Sequence, residues 1–272
     1  MQPVAVLTIA GSDSGGGAGI EADLRTFAAL GVHALAAITA VTAQNSFEVR
    51  AVCALEAEMV RAQVETVTDD FRTAAVKTGM LARAHTVEVG AALAREGRLA
   101  NLVVDPVLVT SSGHPLMEEG GVRAYREALL PFATIATPNL REAAVLADID
   151  VRELRSVQDM IAVGQVILGF GSRAVVVKGG HFATDTDRER RAPDVLVTTE
   201  AVEVLDAERI ITRNDHGTGC SFAAACAARL ALGDDVSAAV NFAKQFVQRA
   251  LSGSKDWDLG RGHGPIDHMA WS

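Results

Sequence analysis

Aromatic side chains are scarce in this chain: nine Phe, two Trp and one Tyr among 272 residues. Large rings cannot carry the interior, so packing falls to the alanines, valines and leucines within a 49% hydrophobic share. Basic charge is short too. A net charge of −9 argues against a nucleic-acid or membrane-surface partner, which would favour a basic face. An anionic ligand must then be held by local amides and a few cations. Cysteine is rare: Cys53, Cys220 and Cys226 are odd in number and form no C-x-x-C pair, which fits reduced cytoplasmic thiols better than a disulfide framework. No apolar run is long enough to cross a bilayer, and the opening MQPVAVLTIAG has no basic leader before its short apolar stretch. With seven prolines and no low-complexity tract, the chain is expected to be folded throughout.

Glycine is where the chain is rich. Gly11-Ser12-Asp13-Ser14-Gly15-Gly16-Gly17-Ala18-Gly19 follows an apolar strand, and His216-Gly217-Thr218-Gly219-Cys220 opens an alanine-rich helix. Bare backbone amides at a helix start make a cradle for anions, so both segments are candidate phosphate sites. The first is not a dinucleotide fingerprint: its glycines at 15, 17 and 19 give G-x-G-x-G, and Gln44 stands where an acidic residue should close the second strand. No G-K-S or G-K-T occurs, which excludes a P-loop.

Hydrophobic period predicts alternating strands and helices. Strands are expected at 4–10, 34–41, 74–78, 102–104, 133–137 and 174–177, with helices at 19–30, 57–71, 84–98, 118–130, 139–147 and 157–168. Such alternation implies right-handed crossovers and a parallel sheet, hence an α/β fold. Three short strands at 195–197, 202–204 and 210–211 without helices between them are expected as antiparallel additions at the sheet edge. Helices at 218–232 and 235–251 close what reads as one domain spanning 1–272.

Ligands of open α/β sheets sit beyond the carboxyl ends of the strands. The residues expected there are Gly11 and Asp13, then Thr42, Gln44 and Asn45, then Lys77, Thr78 and Gly79, then Asp105, then Thr137 and Asn139, and last Lys178, Gly179, Gly180 and His181. Several have two readings. Asp23 is either a first-turn acid favoured by the helix dipole or a carboxylate facing the crevice for a substrate hydroxyl. Gln44 is either a polar loop residue or an amide that reads a heterocycle edge. Cys220 is either a small packed hydrophobe or, in the first turn behind two glycines, a thiol of lowered pKa; Cys226, deeper in the helix, is expected only to pack. Lys178 either snorkels to the surface or meets a phosphate. Asn139 and Glu142 have capping-box spacing, or Glu142 orders a hydrated magnesium ion. The histidines show no zinc-ligand spacing. The charged run 185–191 reads as a solvated loop, or as a flap over a nucleotide.

Together these segments resemble the hydroxymethylpyrimidine/phosphomethylpyrimidine kinases of thiamine biosynthesis, in the ribokinase superfamily. The resemblance covers nearly the whole chain through LTIAGSDSGGGAGIEADLRTF at 7–27, TAVTAQNS at 39–46, KTGML at 77–81, VVDPVLVTSSG at 103–113, TPNLREA at 137–143, VVVKGGH at 175–181, NDHGTGCSFAAA at 214–225 and GHGP at 262–265. It implies a three-layer α/β/α fold and a homodimer. It also implies a pyrimidine alcohol bound by Gly11, Gln44, Met80 and Val107 with Asp23 near its hydroxymethyl group. ATP would engage Asn139 and Lys178, and Mg²⁺ would engage Asp105 and Glu142. Gly217, Thr218 and Gly219 would be the anion hole, and Cys220 would stand where the wider superfamily has an aspartate base. Asp215 departs from the family's usual threonine. Pyridoxal kinases share the cysteine and are the nearest rival; a catalytically silent binding protein is the rival from another class.

Overall fold

The structure is a computed structural model and describes residues 3–108, 117, 120–180 and 191–269. The strands are β1 (Ala5–Ala10), β2 (His33–Ile38), β3 (Ala40–Gln44), β4 (Val49–Ala54), β5 (Thr73–Thr78), β6 (Leu102–Val104), β7 (Ile135–Ala136), β8 (Ala174–Lys178), β9 (Asp194–Thr198) and β10 (Val202–Leu205). The helices are α1 (Gly19–Ala29), α2 (Ala57–Asp70), α3 (Ala84–Arg95), α4 (Gly121–Ala124), α5 (Leu140–Ala147), α6 (Val157–Leu168), α7 (Thr218–Ala231) and α8 (Val236–Ser254). One eight-stranded sheet runs β10-β9-β8-β7-β6-β5-β1-β2. It is parallel from β8 to β2, and β9 and β10 join antiparallel at the edge, as the change of pattern after residue 193 predicts.

Successive strand side chains point to opposite faces. Leu7, Ile9, Val104, Val175 and Val177 therefore pack into one core with α2, α3, α5 and α6. Val6, Ala75, Val103, Val176 and Leu196 pack into a second core with α1, α7 and α8. Seven consecutive residues of α7, Phe222 to Ala228, are buried, and five of them are alanine, so small side chains let this helix lie close on the sheet. The same alternation turns Thr8, Lys77 and Lys178 toward the α1–α7 face.

Three local readings are corrected. The apolar run 34–41 is not one strand: it breaks at Thr39, and Ala40–Gln44 pairs antiparallel with Val49–Ala54 in a separate two-stranded hairpin. Gln44 thus stands on this hairpin, not at the carboxyl end of a sheet strand. Ile210-Ile211 forms no strand, and Ile211 is 91% exposed. The described part of the stretch read as helix 118–130 is α4 followed by a π turn at Tyr125–Leu129 and a 3₁₀ turn at Leu130–Phe132, where Pro131 prevents a regular ending. His181, the flap at 185–190 and most of 109–119 lie outside the described residues. Among the described residues no helix is long and apolar enough to cross a membrane.

Candidate active site

The start of α7 is built from backbone. Gly217 caps it in the left-handed region (φ +87°), and a Cβ there would lie 1.8 Å from the Gly17 carbonyl oxygen, so only glycine fits. Among the described residues no side chain caps this end. Thr218 N–H reaches the Asp215 carbonyl (3.3 Å) and Ser221 N–H the Gly217 carbonyl (2.9 Å). The N–H groups of Gly219 and Cys220 have no acceptor among the described residues. Two free amides at the positive end of a helix are what an anion requires.

Lys178 ends β8 beside them: a Cβ on Gly219 would stand 3.2 Å from its Nζ. Lys178 Nζ donates to Asp105 Oδ1 at 2.8 Å, and Thr137 Oγ1 donates to the same oxygen at 3.1 Å. Burial alone would lower the Lys178 pKa, but Asp105 and Glu142 outweigh it and hold the ammonium above its ordinary value. The capping box exists as read: Asn139 Oδ1 accepts from Arg141 and Glu142 N–H at 2.9 and 3.0 Å, and Glu142 Oε2 accepts from Asn139 N–H at 2.8 Å. The cap does not exhaust Glu142. Burial, resisted by Lys178 and reinforced by Asp105, pushes its carboxyl up to about 8. A buried acid that prefers to be neutral is one that a bound cation would ionise.

Cys220 is half-buried in the first turn of α7. The lowered pKa expected for it is not found. Burial pushes the thiol up to about 11, with Asp23 and Asp105 adding to the rise and Lys77 and the Gly19 amide opposing it. The helix terminus is present, but desolvation outweighs it. Asp23 needs the matching correction. It is neither in the first turn of α1, where Glu21 is, nor open to the crevice. Its carboxylate is wholly buried, accepting from Lys77 Nζ at 2.8 and 3.0 Å and from Thr8 Oγ1 at 2.6 Å. Burial raises Asp23, and the pair holds Lys77 as an ammonium well above its ordinary value.

The first glycine segment is not an open cradle. Asp13 accepts from the N–H groups of Gly15 (2.9 Å), Gly17 (3.0 Å) and Ala18 (2.9 Å), and lies 2.8 Å from His216 Nε2. Burial would raise this carboxyl, but the His216 and amide bonds prevail and lower it. The amides that seemed free for a phosphate are filled by the chain itself. What this segment does is interlock with the second one: a Cβ on Gly17 would sit 2.4 Å from His216 Cδ2. Gln44 Nε2 lies 3.3 Å from His216 Nε2, so Gln44 joins this cluster. Gly11 and Met80 also meet, since a Cβ on Gly11 would sit 2.4 Å from Met80 Cε. Val107 is half-buried two residues past Asp105.

Beyond the α7 amides lies a cavity of about 480 Å³ lined by Asn139, Lys178, Thr218 and Gly219 on one side and by Phe222, Ile210, Val247 and Leu251 on another. The sequence reading missed this apolar side. The Ile210-Ile211 pair was its signal, misread as a strand. Asp194 and Lys244, also missed, brace the rim: Asp194 accepts from Gly179 N–H and from Lys244 Nζ, each at 2.8 Å. Asp215, the departure from pattern, turns its carboxylate to His263 Nδ1 (2.7 Å).

Residues 13–267 match the family described as phosphomethylpyrimidine kinase. The chain is 46% identical over 266 residues to a hydroxymethylpyrimidine/phosphomethylpyrimidine kinase of Streptomyces coelicolor, covering 98% of this chain and 94% of that one. It is 40% identical over 272 residues to one of Salmonella typhimurium, covering both chains completely. Among solved structures it is similar to an ADP complex of Bacillus subtilis pyridoxal kinase (TM-score 0.88, 39% identity, 99% of this chain and 98% of that one). It is also similar to phosphomethylpyrimidine kinase of Clostridium difficile (TM-score 0.79, 36% identity, 91% and 99%).

Proposed function

This chain belongs to the phosphomethylpyrimidine kinase family, and on that premise we propose that it transfers the terminal phosphate of ATP to 4-amino-5-hydroxymethyl-2-methylpyrimidine and then phosphorylates the monophosphate to the pyrophosphate, in thiamine biosynthesis. The fold is the ribokinase-like three-layer arrangement, and we read the 272 residues as one kinase domain. The observation that carries the reading is the pair of free amides at Gly219 and Cys220 with Lys178 beside them, at the mouth of a cavity with an apolar wall.

We assign each group a task. Phosphoryl transfer passes through a loose transition state, so positioning and charge stabilisation dominate. The apolar wall and Asn139 receive the nucleotide. Lys178 and the amides of residues 217–220 hold the migrating phosphoryl group. Gly11, Gln44, Met80 and Val107 receive the pyrimidine, and Asp23 acts from beneath through Lys77. Cys220 takes the hydroxyl proton in its unprotonated form, which Lys77 favours. Asp105 and Glu142 suit Mg²⁺, which binds through one or two carboxylates plus phosphates and keeps its waters. No group of three acidic, His or Cys side chains among the described residues could cage a metal. When bound, Mg²⁺ would neutralise phosphate charge.

We also assign the protein to the cytoplasm, where ATP is available and its three free cysteines stay reduced. We assign it a homodimeric state, supported by the apolar exposure of Val41, Phe47, Val49 and Val52 on the β3–β4 hairpin. The test is incubation with ATP, Mg²⁺ and parallel alcohols, with products identified by mass. Pyrimidine mono- and pyrophosphate are expected. Phosphorylation of pyridoxal alone would favour the pyridoxal kinase reading, and binding without turnover would refute catalysis.

A further inference from the structure

The chain returns after α8 to touch the start of α7. His216 N–H donates to the Gly264 carbonyl (3.0 Å), Gly264 N–H to the Arg213 carbonyl (3.1 Å), and His216 bridges to Pro265. Ile266, Asp267 and His268 are then buried. His268 is a buried titratable group that no step of the proposed reaction uses. Its Nε2 lies 2.8 Å from Ser221 Oγ, and Ser221 Oγ donates to the Gly217 carbonyl at 2.8 Å. A serine hydroxyl has one proton. With that proton on Gly217, the short contact to His268 is satisfied when the imidazole donates its Nε2–H to Ser221. Burial, helped by Arg25 and opposed by the Ile266 backbone, lowers His268 to about 4, so the ring is neutral at working pH and carries a single N–H; a Ser221 proton held on Gly217 requires that N–H at Nε2. The Gly217 carbonyl thus receives both the N–H and the hydroxyl of Ser221, at 2.9 and 2.8 Å. Those two bonds fix the Gly217–Thr218 peptide, and the next two amides along the chain are the free pair.

We propose that His268 is a positioning residue: by donating to Ser221 it locks the Gly217 peptide and keeps the Gly219 and Cys220 amides aimed at one point. The inference rests on the kinase reading for its rate effects. A cavity of about 170 Å³ lined by His268, Arg25, Trp257 and Ile266 reaches the ring from the far side and offers room for a small heterocycle.

The test uses full-length His268→Ala, His268→Gln and Ser221→Ala. His268→Ala is expected to lower kcat about 10–100-fold, somewhat less than outright loss of an anion-hole donor, with KM for both substrates within about threefold. Gln can supply an N–H at the same reach and is expected to keep kcat within about fivefold of the parent. Added imidazole is expected to restore His268→Ala at least about fivefold, since the cavity beside residue 268 admits the ring. Ser221→Ala should match His268→Ala, and the double variant should be no worse than either. A His268→Ala kcat within twofold of the parent overturns the proposal, and so does a loss that neither Gln nor imidazole repairs. If His268→Ala does not fold, Ser221→Ala and His268→Gln decide on the same limits. If the parent protein transfers no phosphate, the kinase reading fails separately. Amide exchange at 217–221 then decides this inference: faster exchange in His268→Ala supports it and unchanged exchange ends it.

Discussion

At the start of α1 the amides of Gly15, Gly17 and Ala18 are taken by the chain's own Asp13, whereas at the start of α7 those of Gly219 and Cys220 find no acceptor among the described residues and Lys178 stands beside them. The two segments have the same layout, with an aspartate two residues ahead of the first of the clustered glycines: Asp13 before Gly15, and Asp215 before Gly217. Asp13 turns inward onto the amides of its own loop; Asp215 turns outward to His263. A glycine-rich helix start becomes a binding site only when the chain withholds its own anion. The closed loop can then serve as the rigid wall against which the open one is set, through the contact of Gly17 with His216 and Gly217.

The largest break in this contrast should come from Cys220→Ala. Removing a general base should lower kcat about 10²–10⁴-fold. ATP affinity by titration calorimetry should stay near that of the parent, and Cys226→Ala should keep nearly full activity. Because the base must be unprotonated and burial holds the thiol at about 11, the parent's rate should climb with pH through the neutral and alkaline range. A rate that falls over that range would show that the thiolate is not used.

Asp13→Ala attacks the closed loop. It leaves three amides and His216 without their acceptor and should cost about 2–4 kcal/mol of stability by denaturant unfolding. Gly17→Ala, which drives a methyl into the His216 ring, should destabilise by about 1–3 kcal/mol. Gly219→Ala should leave stability nearly unchanged and act on kcat, since among the described residues its methyl would meet the Lys178 ammonium alone. Equal stability losses at both glycines would erase the distinction.

Glu142 sharpens the open side. A cation needs its carboxylate ionised, so Mg²⁺ affinity in the presence of ATP should rise with pH toward about 8 and level off above it. Calorimetry across pH checks this, and Glu142→Gln should flatten the curve. The smallest effect is His263→Ala. It frees Asp215 to turn toward the α7 amides and should weaken ATP binding only a few-fold, because exposed ion pairs are weak.

The sheet was legible because periods of 2 and 3.6 are local properties of the chain. The Asn139–Glu142 capping box, the buried Cys226 and the antiparallel edge after residue 193 were legible for the same reason. The β3–β4 hairpin was not. Thr39 interrupts an otherwise continuous apolar run, and only pairing with Val49–Ala54 reveals the break. Asp13 carried a readable signal, an aspartate two residues ahead of a glycine whose amide it can bond, but which anion fills the amides is a tertiary fact. Asp23 and Cys220 failed similarly. Cys220 sits in the first turn of its helix and Asp23 one turn into its own, yet Lys77 and the depth of burial, contributed by other elements, decide their state.

Only one of the two helix starts can receive the phosphate. A crystal structure with a non-hydrolysable ATP analogue and the pyrimidine alcohol tests it most directly. The terminal phosphate should lie about 3 Å from the Gly219 and Cys220 amide nitrogens, with Asp13 still holding its own loop. A terminal phosphate seated on the amides of Gly15 and Gly17, with Asp13 displaced, would contradict it.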